Sequence, residues 1–247
     1  MKKLSKLEKI LKVFVYIITP FVYMNAPLIP IKNPNIKFYI EKNLNEIIKE
    51  QEEVLNIKHF GVPTIVVKPE DFEHNNIFSG VRLGYYSNDT IYINSTLEIT
   101  VPNSKLNNIL GDIFFFGHTS NIKEILDHEL GHYYVDKLKE NLNINKELDT
   151  NLIKIGMKLI SEGIAEYFKN KIYKKDLKKY NLVKSVDDMK YGEFYNCGYH
   201  LVKPVIDRHG KKGIEYLIAN PPTNEDLEQL LQYQNRTLEN LEQNVKK

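Results

Sequence analysis

The sequence predicts an α+β fold, with a small mixed sheet near the N-terminus over a mostly helical C-terminal part. Two observations carry this. Between residues 60 and 95 the apolar residues fall in short β-branched or aromatic runs bounded by Pro, Gly and Asn-Asp, whereas from Asn121 onward they recur at helical spacing. Strands early and helices late are the order of an α+β chain rather than of an alternating α/β one. Composition agrees: 247 residues, 42% hydrophobic and 27% charged, suffice for a folded chain with a sizeable core.

The elements follow in order. Lys2, Lys3, Lys6, Lys9 and Lys12 precede a stretch, Val13 to Ile31, that carries no charge. Residues 1–34 therefore read as a basic and apolar segment, either a membrane anchor or an amphipathic helix with Leu4, Leu7, Leu11, Phe14 and Ile18 on one face. Pro20, Pro27 and Pro30 interrupt it. We favour the anchor, and with it membrane association over a cytoplasmic location. Residues 35–247 form the main domain. Ile36–Ile40 reads as a short strand, and Leu44, Ile47, Ile48, Glu52 and Leu55 as the repeat of a half-buried helix. Thr64–Lys68, between Pro63 and Pro69, is a strand. Gly84–Ser87 and Thr90–Asn94 are two more, joined by a tight turn at Asn88-Asp89. Pro102 to Ser120 is loop-like. Helices are expected at about 121–141, 150–175, 193–209, 211–219 and 224–242.

Charge and cysteine content exclude whole classes of function. Lys plus Arg number 34 and Asp plus Glu 32, a net charge of +2, which is too even for sequence-independent nucleic-acid binding. The single cysteine, Cys197, excludes an intramolecular disulfide framework and a cysteine zinc cluster. It reads as a buried small hydrophobe.

The chemistry is concentrated at Leu126-Asp127-His128-Glu129-Leu130-Gly131-His132-Tyr133, inside a helical pattern. On a helix His128 and His132, four apart, project from one face within reach of a single tetrahedral ion. Glu129 lies beside them, placed to accept a proton from water that zinc has polarised. With seven His and 21 Glu in 247 residues, chance would produce His-Glu-x-x-His only about 0.02 times. A second stretch, Ser161-Glu162-Gly163-Ile164-Ala165-Glu166, lies in the next helix, with Glu162 30 residues after His132. An antiparallel return would bring Glu162 to the histidines as third ligand. Glu166, one turn on, would orient a histidine ring. Gly163 and Ala165 would let the two helices approach closely.

His128-Glu129-Leu130-Gly131-His132 followed by Glu162-Gly163-Ile164-Ala165-Glu166-Tyr167 resembles the gluzincin metallopeptidases, the thermolysin-like and zinc-aminopeptidase-like group. The resemblance covers about residues 35–220. It implies a zincin-like fold, zinc held by His128, His132 and Glu162, Glu129 as general base and later proton donor, and Glu166 behind the ligands. Tyr195-Asn196-Cys197-Gly198 is similar to the Tyr-x-Lys-Gly stretch of zinc aminopeptidases, with Cys197 in place of Lys. That makes Tyr195 the first choice for stabilising an oxyanion, ahead of Tyr199, His200 and His209. By the same resemblance Gly84–Ser87 would be an edge strand pairing with an extended peptide. No Gly-x-Met-Glu-Asn stretch is present, and the nearest, Ser79-Gly80-Val81-Arg82-Leu83-Gly84, lacks the acid, which favours an endopeptidase. The expectation is a zinc-dependent hydrolase of peptide or protein substrates. The alternative is a non-catalytic zinc-binding or interaction protein at the membrane surface.

Other features carry less. Lys171, Lys174, Lys175, Lys178 and Lys179 read as a solvated helix end. Phe114, Phe115 and Phe116 read as core. His59, His74 and His118 lack partners at ligand spacing.

Overall fold

The computed structural model describes residues 34–68, 84–94, 122–144, 151–175, 177, 180–182 and 191–245. Among these the fold is α+β and mostly helical. Helix α1 spans Pro34–Leu55. Strands β1 (Thr64–Lys68), β2 (Gly84–Ser87) and β3 (Thr90–Asn94) follow, then helices α2 (Ile122–Asn141), α3 (Asn151–Ile172), α4 (Tyr191–Ala219), α5 (Asn224–Glu228) and α6 (Leu230–Val245). The strands form one sheet in the order β1-β3-β2. By contact density the chain divides into two units. Of the described residues, one takes 34–42, 66–68, 84, 92–94 and 122–125; the other takes Asn43–Ile65, Tyr85–Ile91 and everything from Leu126 on.

The strand expected at Ile36–Ile40 is instead the first turn and a half of α1. A strand would put residues 36, 38 and 40 on one face. Ile36 and Ile40 are 0% and 2% exposed but Phe38 is 68% exposed, so the buried positions are four apart and continue through Ile47, Ile48 and Gln51. Pro34 opens the helix where a missing N–H costs nothing. The three later strands lie where their patterns placed them. Asn88 and Asp89 have φ of 48° and 60°, both left-handed, as a two-residue hairpin turn requires. The tip is tied down: Tyr86 donates its hydroxyl hydrogen to Asp89, and Lys137 of α2 reaches the other Asp89 oxygen at 2.8 Å.

The helices end close to their expected bounds. α4 breaks at Gly210, whose φ of 56° and ψ of −133° suit only glycine, so its two segments meet where the pattern separated 209 from 211. The expected helix 224–242 is two elements, because Gln229 leaves helical geometry after the short α5. Thr223 and Asp226 form a capping box on α5, and Arg236 of α6 bonds Asp226 at 2.6 Å. The core of the second unit is built from α2, α3, α4 and α6, with Tyr134, Leu138, Leu159, Ile164, Phe168, Cys197, Leu201 and Leu230 all inaccessible. Burial pushes the Cys197 thiol up to about 12, so it packs as an apolar group. Among the described residues no helix is long and apolar enough to cross a membrane. The N-terminal segment, Pro102 to Ser120 with its three phenylalanines, His74 and His118 lie outside them.

Two close approaches fix α3. A Cβ added to Gly131 would lie 2.6 Å from the Ala165 Cα, so α2 and α3 meet at these two positions. Gly163 does not share that contact, contrary to expectation. Residues two apart on a helix point about 200° apart, and Gly163 faces α4, where an added Cβ would lie 2.3 Å from the Gly198 carbonyl oxygen. Gly198 presses back, its own Cβ position 2.9 Å from the Gly163 nitrogen. Gly163→Ala and Gly198→Ala should therefore each destabilise the protein by about 1–3 kcal/mol through overpacking, read as a lower urea midpoint. A midpoint unchanged in both variants would contradict the close crossing.

Candidate metal centre

His128 and His132 lie one turn apart on α2, and Glu162 faces them from α3. His128 Nε2 and His132 Nε2 are 3.1 Å apart, and Glu162 Oε2 is 3.4 Å from the first and 3.2 Å from the second. These three atoms make a nearly equilateral triangle. Ligands bound tetrahedrally at about 2.0–2.1 Å from zinc are about 3.3–3.4 Å from one another, so the edges match three corners of such a site. Two imidazole nitrogens facing at 3.1 Å need a proton or a cation between their lone pairs. Glu162 Oε2 is buried and accepts no aligned hydrogen bond. His128, His132 and Glu162 could together hold a metal ion.

Behind the triangle each imidazole has a partner on its other nitrogen. His132 Nδ1 is 2.9 Å from Ser161 Oγ. His128 Nδ1 is 3.1 Å from Glu166 Oε1, an ion-pair contact short of hydrogen-bond alignment. The charges answer one another. Burial alone would lower the His128 imidazole, but Glu162 and Glu166 outweigh it and carry it up to about 10. Burial alone would raise both carboxyls, yet the two histidines hold Glu162 far below the usual carboxylate range. His128 and Lys169 together hold Glu166 at about 2.

The structure thus brings His128, His132, Glu162 and Glu166 together as the two sequence stretches implied. Glu129 is buried close enough to His128 for its charge to act on the imidazole. The Tyr195 ring, on α4, lies 6.0 Å from the His128 ring at a tilt of 47°. The other oxyanion candidates differ: Tyr199 is buried in the core with its ring 5.1 Å from that of His200, and His209 is half-buried one residue before the Gly210 break. The lysine cluster is partly neutralised, Lys171 pairing with Asp207 at 3.2 Å, while Lys178 and Lys179 lie outside the described residues.

Four further participants went unread in the sequence. Ser161 precedes Glu162, and Lys169 and Asn170 follow Glu166 by three and four, so helical spacing could have found them. Gln51 could not be found that way. Its side-chain amide donates to the Asp127 backbone oxygen at 3.0 Å and to Oδ1 at 2.9 Å, across 76 residues of chain. Its own oxygen lies 3.0 Å from His59 Nε2. His59, four residues beyond the end of α1, in turn stacks on Tyr133, with rings 6.5 Å apart, so α1 and the segment after it contact α2 at the residues on either side of His128 and His132. Comparison of the chain with protein-family models, curated proteins and solved structures finds no match.

Burial lowers the His59 imidazole to about 4, against the opposing pull of Glu52. Below its unfolded pKa of about 6.5 the unfolded chain binds a proton that the folded protein refuses. Stability from this residue is therefore complete above about pH 6.5 and lost as pH falls toward 4. Urea unfolding from pH 7 to 4.5 should show the wild type losing up to about 1.4 kcal/mol per pH unit more than His59→Gln. Equal slopes would refute a buried neutral His59.

Proposed function

We propose that the chain is a zinc-dependent peptide-bond hydrolase of zincin-like architecture, an endopeptidase by preference. The observation that carries this is the triangle of His128 Nε2, His132 Nε2 and Glu162 Oε2 with edges of 3.1, 3.2 and 3.4 Å. Its nitrogen and oxygen donors, three in number, are those of a hydrolytic zinc site rather than a closed structural one. A zinc ion held there would lower the pKa of water and polarise a substrate carbonyl.

The chain's own residues supply the rest. Glu129 accepts the proton of the attacking water and delivers it to the leaving amine. Its buried place beside His128 gives that transfer a low-dielectric setting. Tyr195, whose ring on α4 lies 6.0 Å from the His128 ring, would donate its hydroxyl hydrogen to the oxygen on which negative charge develops. Ser161 and Glu166 keep the imidazoles aimed at the common point. Among the described strands β2 is at the sheet edge, and its Tyr86 ring lies 6.1 Å from that of Tyr133, next to His132. An extended peptide would add to that edge by main-chain hydrogen bonds.

Zinc analysis of the purified protein, beside a peptide-library cleavage assay, tests the reading. Glu162→Ala should lose the metal. Glu129→Gln should retain it and lose about 10²–10⁴-fold in kcat, and Tyr195→Phe about 10²-fold. Zinc that survives in Glu162→Ala would overturn the ligand set. Zinc bound with no cleavage by the wild type would make this a non-catalytic metal site.

A further inference from the structure

Glu166 is held from three directions. Its Oε1 is 3.1 Å from His128 Nδ1 and 2.6 Å from Lys169 Nζ, and its Oε2 accepts from Asn170 Nδ2 at 3.1 Å. The same Asn170 nitrogen donates to the Glu166 backbone oxygen at 2.7 Å, which locks the amide against the helix. Glu166 and Asn170 are 6% and 2% exposed. Asparagine is a poor residue for a helix interior, because its side chain competes with backbone hydrogen bonds. Here, buried in the last third of α3, its amide nitrogen serves Glu166 twice. Lys169 keeps its stem against the protein and its ammonium on the carboxylate, only a quarter exposed.

We propose that Lys169 and Asn170 form a clamp on Glu166 that fixes the imidazole of His128 and so sets how tightly the site binds metal. This rests on the zinc reading above and goes beyond it, to positioning residues that touch neither metal nor substrate. A carboxylate only accepts hydrogen bonds, so a fixed Glu166 requires the imidazole hydrogen on Nδ1 and leaves the Nε2 lone pair for the ion. A Glu166 free to turn about its χ angles would not impose that choice. Lys169 holds one oxygen by charge and Asn170 the other by direction, so rotation breaks at least one contact.

The test is zinc affinity, measured by competition with a chromophoric chelator, for the wild type, Lys169→Met, Lys169→Arg, Asn170→Ala, Glu166→Gln and Glu166→Gln/Lys169→Met. Thermal unfolding of each without zinc controls for folding. Glu166→Gln should weaken zinc binding about 10–100-fold, and Lys169→Met and Asn170→Ala about tenfold each. Lys169→Arg should recover most of the loss. In the Glu166→Gln background Lys169→Met should have no further effect, because its action passes through Glu166. A general loss of stability would persist in that background. Wild-type affinity in Lys169→Met and Asn170→Ala, with zinc lost in Glu162→Ala, would overturn the clamp and leave the metal site standing. No zinc binding by the wild type would overturn both.

Discussion

The site depends on how near α3 can come to its neighbours. A glutamate side chain reaches only a few ångströms from its helix. Glu162 can therefore meet two imidazoles on α2 only where the backbones nearly touch. That is the contact of Gly131 with Ala165, where one further methyl group would collide with the opposite Cα. The small residues sit beside the functional ones in sequence: Gly131 is next to His132, and Gly163 is next to Glu162. The same device works on the far side of α3, where Gly163 and Gly198 press together. Gly198 lies one turn after Tyr195, so the crossing that holds α4 against α3 also sets the Tyr195 ring 6.0 Å from His128.

Closeness of backbone creates an electrostatic problem. Glu129, Glu162 and Glu166 all bring carboxylates into the neighbourhood of His128, and Glu129 and Glu166 are each 6% exposed. Each buried carboxylate carries a desolvation cost of several kcal/mol unless it is paired. Two imidazoles, one lysine and one asparagine amide answer part of this. At the point where Glu162 Oε2 faces two ring nitrogens the three residues could hold a cation. The low dielectric that makes a buried acid costly would also strengthen its attraction to a cation held there. Gln51 matters here because the apolar grip on α2 carries no directional information, whereas two hydrogen bonds to Asp127 fix the register of the residue before His128.

What the sequence revealed and what it hid divide along the same physical line. Period and spacing are local properties, and they placed β1, β2, β3 and the turn between Asn88 and Asp89, together with the approximate bounds of α2, α3 and α4. They also put His128 with His132, and Glu162 with Glu166, on single faces. The error at Ile36–Ile40 was one of period, since five residues with apolar ends fit both two and four, and only the burial of Ile47 and Gln51 further on decides between them. The error at Gly163 was one of direction: smallness was read correctly, but not the neighbour it served. Gln51 lay beyond reach altogether, because nothing in a glutamine marks it as buried or names a partner 76 residues away.

Helix α3 shows why a site of this kind is compactly encoded. At about 100° per residue, Ser161, Glu162, Ala165, Glu166 and Lys169 fall within about 140° of the helix circumference. That stripe contains a candidate metal ligand, the contact to α2, and the partners of both imidazoles. Gly163 falls outside it and turns to α4, while Ile164 and Phe168 turn to the core. The candidate ligand and the groups that contact the imidazoles thus ride on one element, so their relative positions do not depend on any loop. Only the distance from α2 to α3 remains to be set, and the Gly131–Ala165 contact sets it. A site divided among loops would have to fix each of those positions separately, at the cost of ordering every segment that carries one.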